Sequence, residues 1–585
     1  MNEQVVCRVA VPAPLFRLFD YLPPAHDPAP PPGSRVRVPF GNRTLIGLVA
    51  EHGHPADVAR DALKPIAEVL DPALLDPHLL ELLRWTLRYY AAPPGEMVAL
   101  GLPAALRRDR SLPEPSPGWL RRVEGADAIE AGRAPRQRQT LELLREGPRP
   151  RTDLIEAGIR PAVIRQMLDK GLITPCEPAT TTPVPGPDLN PDQRRAGAAI
   201  LRLRHRFGVV LLAGVTGSGK TEVYLHAARH VIGRDRQVLV LVPEIGLTPQ
   251  FVRRVESRLG CRAYVYHSGL ADGERLAAWQ AARDGRARLI VGTRSAVFLP
   301  LTDPGLMVID EEHDGSFKQF DGARYHARDV AVMRARQLGI PIVLGSATPS
   351  LESLRNARAG RYRMLHLPHR AGSAPQPHWT VEDLRGQTLR DGLGERLIER
   401  IRATLGQSRQ VLIYRNRRGY APVLICNECG WQADCPDCSA HMTLHRRSER
   451  LSCHHCGRRQ PRPPRCPDCG APDLQALGAG TERLEHALAQ CFPDTEVVRI
   501  DRDTVRGKDS LNELLERLRD EQPRILVGTQ MLAKGHHLPG IGLAVMLDAD
   551  PMLYSADFRA PERLAQSVVQ VAGRSGRTRA GRFIL

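Results

Sequence analysis

The sequence predicts an α/β multidomain chain. Two lobes built on doubly wound parallel sheets follow a small mixed α/β domain and a winged-helix-like module, and a cysteine-rich insertion interrupts the second lobe. Three observations predict this. Short apolar runs alternate with helical patterns between residues 209 and 348 (VVLLAG, VLVLVPE, AYVYHS, RLIVGT, LMVID, IPIVLGSAT), the pattern of parallel strands covered on both faces. The alternation resumes at QVLIYRN, residues 410–416, and after an interruption continues through TEVVRIDRD, RILVGTQ and LAVMLDAD. The interruption, residues 426–469, holds eight of the twelve cysteines. At 585 residues the chain exceeds what one hydrophobic core organises.

Taken in order, residues 1–105 mix strand alternation (VVCRVAV, SRVRVPFGNRTLIGLVAEHG) with a helical tail (PHLLELLRWTLRYYAAP). The breaker-rich RSLPEPSPG, residues 110–118, is a linker. Three short helical patterns over 119–175 (RQRQTLELLREG, RTDLIEAG, RPAVIRQMLDKGLI) outline a winged-helix or helix-turn-helix module, with a helical spacer as the plainer alternative. A second linker, CEPATTTPVPGPDLNP, leads into lobe 1 over 186–368; lobe 2 spans 385–585, with the insertion at 424–471.

Composition narrows the function. The hydrophobic share of 42% and charged share of 25% are those of a soluble globular protein. No apolar run approaches the ~20 residues of a membrane span, and the N-terminus lacks a signal-peptide pattern. A cytoplasmic address is expected, where clustered CxxC pairs indicate metal or redox chemistry. The net charge of +17 points to a polyanionic partner such as nucleic acid. Only six of the 82 basic residues are lysines (Lys64, Lys170, Lys220, Lys318, Lys508, Lys534), which marks each as a place where a compact point charge is wanted rather than a planar fork.

GVTGSGKT, residues 214–221, fits G-x-x-x-x-G-K-S/T between a strand and a helix. In such a loop the backbone N–H groups of Gly214, Val215, Thr216, Gly217, Ser218 and Gly219 close around phosphates, with Lys220 on the outer phosphates and Thr221 on Mg²⁺. DEEH, residues 310–313, ends the strand LMVI; Asp310 would hold Mg²⁺ and Glu311 polarise the attacking water. QVAGRSGR, residues 570–577, offers Arg574 and Arg577 to the γ-phosphate. ATP and Mg²⁺ are the implied cofactors.

Four CxxC pairs, 426/429, 435/438, 453/456 and 466/469, supply two Cys₄ sets and hence two Zn²⁺ ions. Spacing alone leaves three ways of joining the pairs. A thioredoxin-like redox site needs one pair in its own βαβ domain, so four pairs favour metal. Cys7, Cys176, Cys261 and Cys491 are read as structural or incidental thiols.

The motif order LNPDQRRA, GVTGSGKT, PEIGLTPQ, GTRSA, DEEH, GSATPS, GTQMLAKG, QVAGRSGR resembles the superfamily-two helicases. More narrowly, DEEHDGSFKQFDGARYHARD, the eight-cysteine insertion, GTQMLAKGHHLPG and SADFRAPER resemble the PriA family of replication-restart helicases along essentially the whole chain. The resemblance implies two RecA-like lobes, an adenine contact from Gln193, and a place for Gln570 beside the arginines of the last motif. It implies that Phe317, Lys318, Phe320, Arg324 and Tyr325 lie in an aromatic-rich loop coupling DNA contact to ATP hydrolysis, bases stacking on aromatic faces. Here Phe317 stands where relatives usually show tyrosine and Phe320 where they show glutamine. Ser346 and Thr348 would link lobe movement to nucleotide state, and Thr529, Gln530 and Lys534 would touch DNA.

The N-terminal segment resembles the family's pocket for a 3′ DNA end, at Phe19, Asp20, Gly41 and Lys64. A carboxylate there accepts a hydrogen bond from a free 3′-OH, and a glycine permits close approach. The family's zinc pattern is nested: Cys426, Cys429, Cys466 and Cys469 on one ion, Cys435, Cys438, Cys453 and Cys456 on the other.

The function implied is an ATP-dependent 3′→5′ DNA helicase that recognises stalled or branched forks and initiates primosome assembly, acting as a monomer. The implied partners are single-stranded and forked DNA, single-stranded DNA-binding protein and other primosome proteins, with no membrane. An RNA helicase and a zinc-containing scaffold with a dead motor are the rivals; DNA unwinding separates the first, and intact Lys220, Asp310, Glu311 and Arg577 speak against the second. Relatives continue into a C-terminal domain where this chain ends at GRFIL, so the last strand of lobe 2 is expected to be incomplete.

Overall fold

The computed structural model describes the chain apart from residues 1–4, 26, 54–62, 109–111, 113–118, 124, 126–133, 177–181, 245–246, 372–374, 386, 390–391, 416–423, 427, 439–441, 446–449, 454–455, 473, 477–480, 501–513, 515–516, 530–537, 554–556 and 577–578. Gln530, Lys534, Lys508 and Arg577, singled out above, lie outside the described residues. The chain divides into two compact units, Met1–Val210 with Thr221–Leu344, and Leu211–Lys220 with Gly345–Leu585. No helix among the described residues is long and apolar enough to cross a membrane.

In the first unit, a five-stranded antiparallel sheet runs in the order Phe19–Tyr21, Val6–Ala10, Arg43–Gly53, Arg35–Phe40, Glu68–Asp71. Alternation puts Cys7, Val9, Tyr21, Val36 and Val38 into one core. Arg35 is fully buried, and its charge is met by Asp71 at 2.5 Å and the Leu106 carbonyl at 2.9 Å, as a buried guanidinium requires. Helix Pro77–Tyr89 starts where Asp76 accepts from the Leu79 N–H at 2.9 Å.

Residues 119–176 form a separate small core. Three antiparallel strands in the order Arg149–Pro150, Trp119–Arg122, Ile173–Cys176 carry helices Pro135–Leu143, Arg151–Glu156 and Pro161–Asp169. Leu120, Leu141, Leu154, Ile164 and Met167 close it. Three short helices and three strands thus share this one small core.

Lobe 1 holds a seven-stranded sheet in the order Ala263–Tyr266, Leu289–Gly292, Gln237–Leu241, Pro304–Asp310, Pro341–Ser346, Gly208–Gly214, Arg363–Leu367. The pairings of Gln237–Leu241 with Leu289–Gly292 and with Pro304–Asp310 are parallel. Lobe 2 holds six parallel strands in the order His378–Thr380, Arg582–Ile584, Ile541–Leu547, Gln410–Arg415, Ile525–Gly528, Val497–Ile500. Its strands feed two cores at once: Val411 and Ile413 pack with Ile525 and Val527 on one face, Leu412 and Tyr414 with Leu526 and Met546 on the other. That division is why these strands read as continuous apolar runs rather than alternating ones. The three-residue strand Arg582–Ile584 is paired on both sides. The fold is the expected pair of parallel-sheet lobes.

Candidate nucleotide, DNA and metal sites

The glycine-rich loop begins where strand Gly208–Gly214 ends. Gly217 and Gly219 take φ of +83° and +75°, values that L side chains resist, and so the loop turns back on itself before helix Lys220–Ile232. Lys220 is buried, its Nζ donating to the Gly214 carbonyl at 2.9 Å. Segment 367–371 braces the loop: Val215 N–H donates to Leu367 at 3.2 Å and Ala371 N–H to Gly217 at 2.9 Å.

The last motif meets the loop within the second unit. An added Cβ on Gly573 would lie 2.5 Å from Thr216 Cβ, so the turn after helix Ala560–Ala572 rests on the Thr216 side chain. Arg574 follows directly and is buried, as is Gln570 one turn earlier. Arg370, which sequence reasoning missed, ties this turn down by donating to the Ser575 carbonyl at 3.3 Å and to that of Gly576. No motif pattern surrounds it; the fold alone shows its position. Ser346 Oγ accepts from the Thr348 N–H at 2.9 Å, and the Thr348 carbonyl accepts from Gln566 Nε2 at 3.4 Å, so GSATPS and helix Ala560–Ala572 are hydrogen-bonded together. Thr529 is buried at the end of strand Ile525–Gly528.

In the first unit, Asp310 closes strand Pro304–Asp310 and its Oδ1 accepts from the Glu311 N–H at 3.1 Å. Glu311 sits at φ +49°, a strained position for a non-glycine residue. Tyr224, also missed, donates its hydroxyl to Thr221 Oγ1 at 3.0 Å. Burial, then the Asp310 carboxylate, raises its pKa well above the ordinary range, which places one phenol beside both magnesium-ligand candidates. The T-E-V-Y spacing, three apart on a helix, carries the signal. Gln193 is buried in a capping box, its Oε1 accepting from the Asn190 N–H at 2.8 Å and its own N–H donating to Asn190 Oδ1 at 2.9 Å. An adenine contact would have to share that amide with the cap.

The loop after DEEH divides sharply. Phe317 is fully buried and Tyr325 is 1% exposed, its ring edge-on to Phe298 at 4.9 Å. Placing these two among the DNA-touching residues is therefore corrected: they are core residues that hold the loop in shape. Phe320, 71% exposed, is the aromatic the loop offers to solvent, and Arg324, at φ +48°, is exposed as well. Lys318 Nζ lies 5.2 Å from the centre of the Tyr90 ring and donates to the Arg324 carbonyl.

His326 closes the loop and caps helix Ala327–Gln337, its Nδ1 accepting from the Arg328 N–H at 3.3 Å. Burial, then Arg328 and to a lesser degree Lys318, pushes its pKa down to about 4, against the raising pull of Asp329 and Glu312. Above pH ~6.5 folded and unfolded chains both hold a neutral imidazole. Below that, the unfolded chain takes a proton the folded one refuses, and stability falls until about pH 4. His326→Asn, which keeps a capping acceptor, is expected to remove about 3 kcal/mol of pH dependence between pH 7 and 4. Chemical denaturation across that range measures it; parallel profiles for the two proteins would refute the assignment.

At the N-terminal sheet the structure gathers only part of the expected 3′-end set. Phe19 meets Phe40 edge-on at 5.0 Å, and Gly41 follows in the turn at φ +58° with open space where a Cβ would lie. Lys64 is exposed, its carbonyl accepting from Leu22 N–H at 3.0 Å beside the same edge strand. Asp20, one residue along from Phe19, faces the other side of the sheet and lies 3.6 Å from Arg8 Nε.

The eight clustered cysteines form two groups, Cys426, Cys429, Cys466 and Cys469, and Cys435, Cys438, Cys453 and Cys456, with the sulfurs of each within 4.8 Å of one another. The closest pairs stand 3.5–3.6 Å apart. That is far beyond a disulfide and close to the ~3.8 Å edge of a tetrahedron with ~2.3 Å zinc–sulfur bonds. The nesting has a visible cause: Leu424–Cys426 pairs antiparallel with Leu474–Ala476, which brings the insertion's ends together. Three of the pairs share one turn, in which the glycine after the second cysteine donates to the first cysteine's carbonyl (Gly430, Gly457, Gly470) at φ +74° to +81°. The signal C-x-x-C-G stands in the sequence three times; the fourth pair has serine there.

Residues 8–103 match the 3′ DNA-binding domain (3′BD) of PriA, 190–357 the DEAD/DEAH box helicase, 435–461 the PriA DNA helicase Cys-rich region and 479–579 the helicase conserved C-terminal domain. The chain is 42% identical to the replication restart protein PriA of Haemophilus influenzae over 98% of this chain and 80% of that protein. It is 42% identical to the Bacillus subtilis protein of that name over 63% of this chain and 46% of that one, and 34% identical to the Synechocystis one over 93% and 77%. Identity at this level along nearly the full chain, with each domain match falling on a region built above, shows that the chain belongs to the PriA family of replication restart proteins.

Proposed function

We propose that the chain is an ATP-dependent 3′→5′ DNA helicase that recognises stalled or branched replication forks through residues 1–105 and initiates primosome assembly. The carrying observation is the presence in one chain of a match to a 3′ DNA-end-binding domain and a P-loop helicase pair of lobes. The proposed domains are 1–105 for the DNA end, 119–175 as winged helix, 186–368 and 385–585 as lobes, and 424–471 as the two-zinc insertion.

In this reading the loop 214–219 receives the triphosphate, Lys220 leaves the Gly214 carbonyl for the outer phosphates, and Thr221 with Asp310 would hold Mg²⁺. The magnesium ion, when bound, neutralises charge that develops on the phosphoryl oxygens. Glu311 orients the attacking water and takes its proton. Arg574, packed beside the loop, and Arg577 stabilise the charge on the transferred group. Tyr224 fixes the Thr221 hydroxyl, so the ligand set is ordered before nucleotide arrives. Phe320 and Arg324, with Lys534, contact the DNA strand. Single-stranded DNA-binding protein and other primosome proteins are the proposed partners, and a cytoplasmic monomer the proposed form.

Fork binding tests this directly. A fork with a leading-strand 3′-OH at the junction should bind about tenfold more tightly than one with that end set back, a discrimination of order 1.4 kcal/mol. Equal affinities would remove the role given to residues 1–105. Because Asp20 faces Arg8, Asp20→Asn should keep that preference if Phe19 and Gly41 carry it.

A further inference from the structure

Glu312, the third residue of DEEH, has no solvent exposure, and its carboxylate meets Arg328 Nη1 at 3.1 Å. Arg328 is itself 5% exposed and gives its Nε to Asp329 at 3.0 Å. Compared with apolar residues of the same size, a buried ion pair adds little stability, so the use of this one is sought in what it joins.

On one side it joins the strained residue. Glu311 holds φ +49°, and the turn that follows is closed by the Asp314 N–H donating to the Glu311 carbonyl at 2.8 Å. A backbone held in that region persists only when its surroundings fix it, and the Glu312 carboxylate anchors the very next residue. On the other side it joins the loop. Lys318 and His326 pair across the loop's base, and Gln319 N–H donates to the Tyr325 carbonyl at 2.9 Å. Arg294 of GTRSA donates to the carbonyls of Ser316 at 3.1 Å and Lys318 at 2.8 Å. Residues 316–326 are thus braced as one piece, and the His326 ring accepts from the Arg328 N–H. A shift of this piece moves the first turn of helix Ala327–Gln337, hence the Arg328 guanidinium, hence the Glu312 carboxylate beside Glu311.

We infer that Arg328, through its buried pair with Glu312, is the positioning residue that carries the DNA-bound state of loop 314–326 to the catalytic carboxylate Glu311. This rests on the proposed reading of the loop as a DNA contact. It adds the route and a residue that touches neither DNA nor nucleotide.

The test compares the full chain with the Arg328→Gln/Glu312→Gln double variant, whose two amides still hydrogen-bond and leave no buried charge unpaired, and with Arg328→Lys. Steady-state ATP hydrolysis is measured with and without saturating single-stranded DNA, alongside DNA affinity by anisotropy and the unfolding midpoint. The double variant should fold, bind DNA and keep basal kcat and KM within about threefold. Its DNA-stimulated kcat should fall about tenfold or more, within the ~5–150-fold span of typical coupling. Arg328→Lys, which keeps the charge but loses the two-armed grip, should lose part of the stimulation even if the double variant does not fold. Full stimulation in either variant overturns the inference, as does an equal fall in basal and stimulated rates. If the unaltered chain shows no stimulation by DNA, the loop reading itself fails, an outcome distinct from failure in the variants alone.

Discussion

Lys220→Ala is expected to lower DNA-stimulated ATP hydrolysis by about 10²–10³-fold, the usual cost of removing one preorganised group that meets charge in the transition state. Single-stranded DNA binding should survive. The Lys220 ammonium is buried and held 2.9 Å from the Gly214 carbonyl, at the base of the glycine-rich loop. In the proposed reading a γ-phosphate would draw it from a neutral acceptor to a charged one, a stronger pairing that would grow as charge develops on the transferred group. Lys220→Arg should fare almost as badly, because a planar guanidinium fork does not replace a compact point charge on a flexible stem. Steady-state hydrolysis at saturating DNA, with DNA affinity measured separately, decides it. Hydrolysis left unchanged in Lys220→Ala would move the nucleotide site elsewhere in the chain.

Lysine scarcity helped to find that residue, and the same reasoning shows where sequence stopped being enough. The glycine loop, DEEH and the CxxC pairs are local patterns whose backbone demands are written in residue type: Gly217 and Gly219 turn left-handed, and Gly430, Gly457 and Gly470 do the same in the cysteine turns. The parallel sheets were legible because strands such as Val411–Tyr414 feed cores on both faces. Exposure was not legible. Phe317, Phe320 and Tyr325 are three aromatics within nine residues, and only the fold shows that two are core and one is bare. Contacts distant in sequence were equally hidden. Arg370 braces the Ser575–Gly576 carbonyls from 205 residues away, and Arg328 reaches Glu312 across the loop between them. Asp20 shows a third limit: one residue of strand phase decides which side of the sheet a carboxylate serves, and a three-residue edge strand such as Phe19–Tyr21 has too little alternation to declare its phase.

Metal content should separate the nested arrangement from its alternatives. The chain is expected to hold two zinc ions, Cys426→Ser/Cys466→Ser one, and Cys426→Ser/Cys453→Ser none. Both double variants remove two cysteines, so the contrast depends only on which sulfurs share an ion. In the structure Cys426 and Cys466 belong to one group while Cys453 belongs to the other. The effect on folding should be large. The insertion's strands Leu424–Cys426, Thr443–His445, Arg450–Ser452, Arg459–Pro461 and Leu474–Ala476 are three residues each. Its core includes Cys426, Cys435, Cys453 and Cys466 among the buried residues. A core so small, with metal-ligand sulfurs for much of its interior, has little apolar area to hold it without metal, whereas a structural zinc contributes about 10–16 kcal/mol in small domains. Chelation should therefore open residues 424–476 to protease while the six-stranded sheet around Gln410–Arg415 stays resistant, because the antiparallel pair Leu424–Cys426 and Leu474–Ala476 confines the melting to what lies between. Two zinc ions retained in Cys426→Ser/Cys466→Ser would show that these sulfurs are not ligands of a shared ion. One ion retained in Cys426→Ser/Cys453→Ser would place Cys426 and Cys453 on the same metal, and with either result the nested scheme would have to be abandoned.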